Sequence, residues 1–551
     1  MNHPTPAIVT ERAAQRLPRI PLVLLCAAYV LPGVFGRDPW RSADVTAFGF
    51  MHQLARGGAD WWHPLVGGLP PDGGLLPYWL GAAFIRLFDG MVDPAFAARV
   101  PFALLLIAVL MLTWYTCYHL ARTDAAQPVS FAFGGEAKPV DYARAIADGA
   151  VLALLATLGL LQLGHETTPE LLQLTGTALL IYALAASGVR RWKPRLAVLA
   201  ALPLMAGSGA PNIAVLLAFV ALAVCWLSED VRTKAFAAWV FAALLLTALV
   251  ATGFDAWAWR ADPRPQLRQV VRLLAWFTWP AWPLAAWTVW RWRGHLLKRH
   301  IAVPLATAGV AVGACVVMNG SDRALMLALP SLAVLAGFSL PTLRRGVASA
   351  IDWFSVFFFS FCALTIWVIY VSLQTGVPAK PAANVMKLAP GFEPRFSLAA
   401  LLAALLATAA WLWLVRWRAG RNREALWRSL VLPASGVALS WLLLMSLLLP
   451  VLNYARSERP LVQRLGLHLP RGACIEARGL ARSQIAALEA LGGWRVYAAH
   501  VLNAPSCDYL MLPGGASVPT PEGWTPVARE RRPTDRSNEY TYVFRRSEAG
   551  G

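Results

Sequence analysis

Long apolar runs alternate with short polar links along most of this chain. The runs occupy 20–36, 97–118, 148–164, 170–187, 196–208, 212–227, 235–253, 273–290, 301–318, 324–341, 353–373, 398–415 and 430–451. A helix needs about 20 apolar residues to cross a bilayer. The pattern therefore predicts an α-helical polytopic membrane protein with about thirteen transmembrane helices, several of them short. An odd number of crossings puts the two ends on opposite sides.

Two segments break the pattern. Residues 37–95 form a long first loop with amphipathic stretches near 44–56 and 75–88. Between them lies the Gly/Pro-rich GGLPPDGGLLP (67–77). Amphipathic stretches of this kind lie in the plane of the membrane surface. Residues 452–551 are polar and rich in Pro. They predict strand 473–477, helix 481–491 and strands 494–500, 507–513 and 539–546, a small α/β domain. The expected division is a membrane domain, 1–451, that includes loop 37–95, and a C-terminal domain, 452–551.

Composition narrows the class. Of 551 residues, 58% are hydrophobic and only 14% charged, against roughly a quarter charged in soluble proteins. A secreted enzyme, a disordered regulator and a soluble nucleic-acid binder are excluded. The net charge of +19 sits in the links: RRWKPR (190–195), RWRGHLLKRH (291–300), LRR (343–345) and RWRAGRNREALWR (416–428). With Arg12, Arg16 and Arg19 before the first run, this distribution places the N-terminus in the cytoplasm and the C-terminal domain outside. The run 20–36 lacks a small-residue cleavage site and leads into Arg37-Asp38-Pro39-Trp40, so it reads as a retained span rather than a signal peptide. Cys26, Cys117, Cys225, Cys315 and Cys362 lie in apolar runs, where the thiol behaves as a small apolar group. Cys474 and Cys507 each start a predicted strand outside; a disulfide and two buried thiols are both open.

The order of parts, with the stretches WRSADVTAFGFMHQLARGGADWWHPLVGGLPPDGGLLPYWLGAAFIRLF (40–88), DPAFAARVPFALLLIAVLMLTWYTCYHLAR (93–122), HETTPELLQLTGTALLIYAL (165–184) and SDRALMLALPSLAVLAG (321–337), resembles the GT-C membrane glycosyltransferases. The nearest group is that of the lipid A aminoarabinose transferases and protein O-mannosyltransferases. The chain departs from their motifs. Ala43-Asp44 stands where the family carries two acids, Thr46 where an Arg is usual, Asp72-Gly73-Gly74-Leu75 where a Glu-Lys-Pro-Pro stretch holds phosphate, and Gly209-Ala210-Pro211 in place of Lys-Gly-Pro.

The resemblance implies an inverting transfer of a sugar from a polyprenyl-phosphate donor to a lipid, glycan or protein acceptor at the periplasmic face of a bacterial inner membrane. It implies no cofactor and no metal. Such chemistry needs a base for the acceptor hydroxyl and cations for the departing phosphate. Asp44, at the family's acidic position, is the candidate catalytic base, with an N-cap as the structural alternative. Candidate substrate-binding residues are Asp72, which also suits a turn; His63, near a Trp pair; and His165 and Glu166, at the mouth of a span. Cationic candidates are Arg260, Arg264 and Arg268, in a stripe continued by Arg272, and Arg323, which also suits a pair with Asp322. Anionic lipid headgroups are the alternative partner of that stripe. A non-catalytic scaffold or envelope partner of the same fold is the second reading. A transporter is the third, disfavoured by the lack of an internal repeat.

Overall fold

The computed structural model describes residues 5–258, 266–419, 425–499, 506–536 and 538–547. Every predicted apolar run is helical over most of its length. The first is α1 (Arg19–Val30), and the first loop carries α2 (Ala43–Ala55) and α3 (Leu76–Leu87). There follow α4 (Pro94–Ala121), α5 (Pro139–Leu155), α6 (Leu158–Leu163), α7 (Pro169–Ala186), α8 (Trp192–Gly207), α9 (Pro211–Leu227) and α10 (Val231–Gly253). After them come α11 (Leu267–Phe277), α12 (Ala281–Arg291), α13 (Arg299–Val317), α14 (Asp322–Met326), α15 (Leu329–Ser339) and α16 (Arg345–Thr375). The helical series ends with α17 (Ala379–Leu388), α18 (Leu398–Ala419), α19 (Arg428–Leu447), α20 (Leu449–Arg456) and α21 (Arg459–Leu465).

Among the described residues, seven helices are long and apolar enough to cross a bilayer: α4, α7, α10, α13, α16, α18 and α19. The chain is a multi-pass membrane protein. Four predicted spans are broken, among them 324–341, between α14 and α15, and 430–451, between α19 and α20. Run 148–164 divides at Thr157, between α5 and α6. Run 273–290 divides between α11 and α12 at Pro280, which has no N–H to continue the helical ladder. Large apolar side chains on α16 and α18, such as Phe357, Phe361, Leu406 and Trp413, are exposed, as lipid-facing residues are.

Packing divides the chain into two units. The first comprises Met1–Gly33, Phe102–Leu364 and Leu402–Leu443. Its core joins α5 to α15 through small residues: a Cβ on Gly337 would stand 3.0 Å from Ile146 O and 3.2 Å from Ala150 Cβ. Close backbone approach of this kind is how helices pair where lipid removes the usual hydrophobic drive. Val9, Ala14, Tyr142, Ala147 and Phe338 share the same buried cluster. The segment before α1 is laced in place by Ala137 N to Val9 O (3.0 Å), Leu426 N to Ala13 O (3.0 Å) and Trp427 Nε1 to Gln15 O (2.7 Å). Asp148, buried on α5, finishes the lacing by accepting from Leu17 N (2.9 Å), Arg19 Nη1 (3.1 Å) and Trp114 Nε1 (2.7 Å).

The second unit comprises Val34–Pro101, Thr365–Leu401 and Leu444–Gly551. Its sheet is built from β1 (Cys474–Ala477), β2 (Arg495–Ala498), β3 (Tyr509–Gly514), β4 (Trp524–Glu530) and β5 (Tyr540–Arg546), in the order β2-β1-β3-β5-β4. The helix α22 (Arg482–Gly492) connects the parallel pair β1 and β2, the crossover that parallel pairing demands. Gly493 follows it at φ +69°, a left-handed helix end that glycine adopts without cost. Strands β4 and β5 pair antiparallel to finish the sheet. Cys474 and Cys507 are joined by a disulfide.

Candidate functional site

Two clusters of charged side chains stand out, one in each unit. In the second unit the chain leaves the Gly33–Gly36 turn and reaches α2 within a few residues. Asp44 falls in the first turn of α2, where the helix dipole favours a carboxylate. It does not cap the helix. Its Oδ2 turns back to accept from Trp40 N (3.1 Å) and from Arg37 Nη2 (2.8 Å). Asp44 is 1% exposed and Arg37 is 2% exposed, so the pair is closed to solvent. The Arg37 guanidinium also lies over the Trp40 ring, 4.9 Å from its centroid.

Four further residues complete this cluster. Arg99, 3% exposed, lies within electrostatic range of Arg37, Asp44 and Asp38. Its Nε has no hydrogen-bond partner among the described residues. Asp38 is gripped by Arg459 through Nε (3.1 Å to each oxygen) and Nη2 (2.9 Å), and this grip holds Arg459 above the ordinary guanidinium range. Asn453 accepts from Asp38 N (3.1 Å) and Trp40 Nε1 (3.0 Å) while donating to Gly36 O (2.8 Å). Next along the chain, Arg41 pairs with Asp535 (2.9 Å) and Glu458 (3.3 Å). Burial raises Glu458 above the usual carboxylate range, although Arg532 and Arg41 pull it down.

In the first unit, Arg323 is the hub. Its Nη2 meets Glu166 at 2.6 Å, and its Nη1 meets Glu170 and Thr168, each at 3.0 Å. The expected pair with Asp322 forms only through the Arg323 backbone N (2.8 Å). Burial works against the guanidinium charge, but Glu170 and Glu166 outweigh it and hold Arg323 above its ordinary range. The imidazole of His165 lies between Leu161 O (2.7 Å) and Tyr29 O (2.9 Å) and packs on Trp441, 4.7 Å between centroids.

The other sequence candidates lie elsewhere. His63 is exposed and pairs with Asp60 (2.9 Å). Asp72 is exposed and pairs with Arg482 on α22 (2.7 Å). Arg268 and Arg272 are exposed on α11 and make no ion pair among the described residues. Arg260 and Arg264 lie outside the described residues. The sequence reading passed over Arg37, Arg99, Asn453 and Arg459. An arginine directly after an apolar run was the one available signal for Arg37.

Chemically, the second-unit cluster is a carboxylate beside buried guanidinium groups. The first-unit cluster is one cation shared by two carboxylates, which suits holding two chain segments in register.

No protein-family profile matches the chain, and no curated protein does. Solved structures do. ArnT from Cupriavidus metallidurans bound to undecaprenyl phosphate superposes with a TM-score of 0.60 at 14% identity, covering 96% of this chain and 98% of that one. The same protein in its apo state gives 0.61 at 14% identity, covering 95% and 98%. At such identity the likeness is one of architecture. Over nearly its whole length the chain has the fold of ArnT.

Proposed function

We propose that this protein is an inverting glycosyltransferase that takes a sugar from a polyprenyl-phosphate donor and passes it to a lipid, glycan or protein acceptor. The reading places the reaction at the periplasmic face of a bacterial inner membrane, with the N-terminus in the cytoplasm. The observation that carries it is the shared fold: ArnT, which this chain matches across 96% of its length, has been seen with undecaprenyl phosphate bound. The disulfide between Cys474 and Cys507 agrees with an oxidising compartment for the α/β domain.

In this reading Asp44 is the base. Arg37 and the N-terminus of α2 both present positive charge to it. The departing lipid phosphate needs cations that are not already neutralised. Arg268 and Arg272 fit that need better than Arg323, whose guanidinium is taken up by Glu166 and Glu170. Arginine suits the task because its planar fork meets phosphate oxygens in pairs. His165 and Glu166 then serve the packing of the first unit rather than touch the sugar, and His63 and Asp72 are candidates only for contacts at the surface.

The test is transfer itself. The purified protein in lipid nanodiscs is given labelled polyprenyl-phosphate sugars and envelope lipid, and products are followed by mass spectrometry. Transfer is expected, falling about 10²–10⁴-fold in Asp44→Asn. Full turnover in that variant overturns the base assignment. No turnover and no donor binding with any sugar lipid overturns the function. One observation favours the scaffold reading: Asp44 is 1% exposed and already paired. A protein that binds the donor lipid tightly but never turns it over is the outcome that reading requires.

A further inference from the structure

The basic link RRWKPR (190–195) lies at one end of the first unit. There α7 ends and α8, α10 and α13 begin. A Cβ on Gly188, just after α7, would stand 2.5 Å from Asp230 Oδ2 and 2.8 Å from Arg299 Nη1. The two acids before α10 are already taken. Glu229 holds Lys298 through both oxygens, each at 2.9 Å. Asp230 accepts from Arg299 Nη1 (3.2 Å), Thr233 Oγ1 (2.8 Å) and Arg232 N (3.1 Å). Arg299 completes its own set with Thr233 Oγ1 and Ala185 O, each at 2.6 Å.

Arg195, in the first turn of α8, has no such set. Among the described residues its side chain makes no hydrogen bond and no ion pair. Its guanidinium rests instead against two indole rings. It lies 5.3 Å from the centroid of Trp192 on its own helix and 4.9 Å from that of Trp239 on α10, the helix packed alongside. Arg191 lies over the Trp192 ring as well, at 5.7 Å. The surroundings are apolar and open. Trp192 is 61% exposed and Leu196 66%. On α10, which is long and apolar enough to cross a bilayer, Ala235 and Ala242 are exposed one turn to either side of Trp239.

These parts have a common ligand. An arginine beside hydrocarbon needs an anion or a path to water. A guanidinium stacked on rings keeps its N–H edge free, and that planar edge meets phosphate oxygens in pairs. Indole rings settle at the headgroup level of a bilayer, the depth at which lipid phosphates lie. Small side chains around Trp239 leave room along α10 for an acyl chain.

We infer that Arg195, Trp192 and Trp239 form a binding site for one anionic phospholipid. The headgroup phosphate sits on the Arg195 fork, and an acyl chain runs along Leu196 and Ala242. Arg191 and Lys193 add positive charge, so a headgroup with its own ammonium is disfavoured. The site needs only the membrane setting of α8 and α10. It does not depend on the transfer reaction proposed above, and failure of that reaction leaves it standing.

The experiment is native mass spectrometry of the full chain, released from nanodiscs of phosphatidylethanolamine and phosphatidylglycerol. It is paired with a photoreactive phosphatidylglycerol whose adducts are mapped by peptide. Wild type is expected to retain phosphatidylglycerol, with adducts in 192–199 and 235–242. Arg195→Gln is expected to lower retention about fivefold or more. Trp239→Leu is expected to lower it with the charge still in place. Lys193→Gln, at an exposed cation two residues away, is expected to leave it unchanged. Equal losses in Lys193→Gln and Arg195→Gln mean diffuse surface charge and overturn the site. Equal retention of phosphatidylethanolamine overturns it too, as does release of the lipid by excess inorganic phosphate, the mark of a site for the free anion. If wild type gives no adducts in those two segments, the site falls without any variant, whether or not a substituted chain folds. Unfolding temperature gives a second reading, because a ligand stabilises the state that binds it. Phosphatidylglycerol is expected to raise it more in wild type than in Arg195→Gln, and equal rises overturn the site.

Discussion

Arg37 donates to Asp44 across 2.8 Å, and neither side chain is open to water. A carboxylate buried in this way is tolerable only while its cation is present. Removing the partner of a buried pair costs about 3–5 kcal/mol, because the remaining charge is stranded. Arg37→Met is therefore expected to unfold at markedly lower temperature than wild type in nanodiscs. Arg37→Met combined with Asp44→Asn is expected to recover most of the loss. Thermal unfolding of the two single variants and the double variant measures the coupling.

Arg323 joins Glu166, Glu170 and Thr168 with one planar fork. Arg323→Gln leaves two carboxylates facing each other without a cation. A loss of at least 2–3 kcal/mol in stability is expected, by the same stranding argument at a partly exposed site. Arg323→Lys is expected to recover only part of it, since an ammonium is a point charge and cannot span all three partners. Expression level in the membrane and unfolding temperature check both.

Asp148 holds the segment before α1 through Leu17, Arg19 and Trp114. Asp148→Ala removes all three bonds at once. Trypsin is then expected to cut after Arg12 and Arg16 at least about tenfold faster in open membranes, since cleavage tracks the population of the released segment. An unchanged rate refutes the anchoring role.

The disulfide joins residues 33 apart in sequence. Closing a loop of that length stabilises by up to about 4 kcal/mol in the chain-entropy account. Cys474→Ser with Cys507→Ser is expected to lower the unfolding temperature of the α/β domain. A reductant is expected to have the same effect on wild type and none on the double variant.

The tight seat of α22 on α2 gives one more outcome. Gly49→Val thrusts side-chain atoms at Ala486, and overpacking of this kind costs about 1–3 kcal/mol. Pairing it with Ala486→Gly is expected to relieve part of that strain, which hydrogen exchange in 43–69 would register.

Apolar periodicity made the helices legible, because each buries its face within its own stretch of sequence. It failed where chemistry interrupts a run. Pro280 splits one expected span and Thr157 another. Asp148 marked the edge of an expected span yet lies inside α5, because Asp141 and Arg144 disguise the helix before it. In the α/β domain, β4 escaped notice. It is an edge strand with mostly uncovered side chains, and Pro526 sits at its bulge, so the alternation that announces β5 is missing. The charged clusters were legible only by half. Asp44, Glu166 and Arg323 were named, but the partner of Asp38 lies 421 residues away and the Glu166–Arg323 pair spans 157. No local pattern carries pairings of that range.

The lacing around α1 sets an order of assembly. Ala13 and Gln15 leave the ribosome some four hundred residues before their partners Leu426 and Trp427, and Pro32 likewise waits for Trp441. At about 5–20 residues per second the opening segment spends tens of seconds unsealed before its knot can be tied. Biogenesis thus has a late, closing step, in which α19 and the link before it fasten the segment around α1.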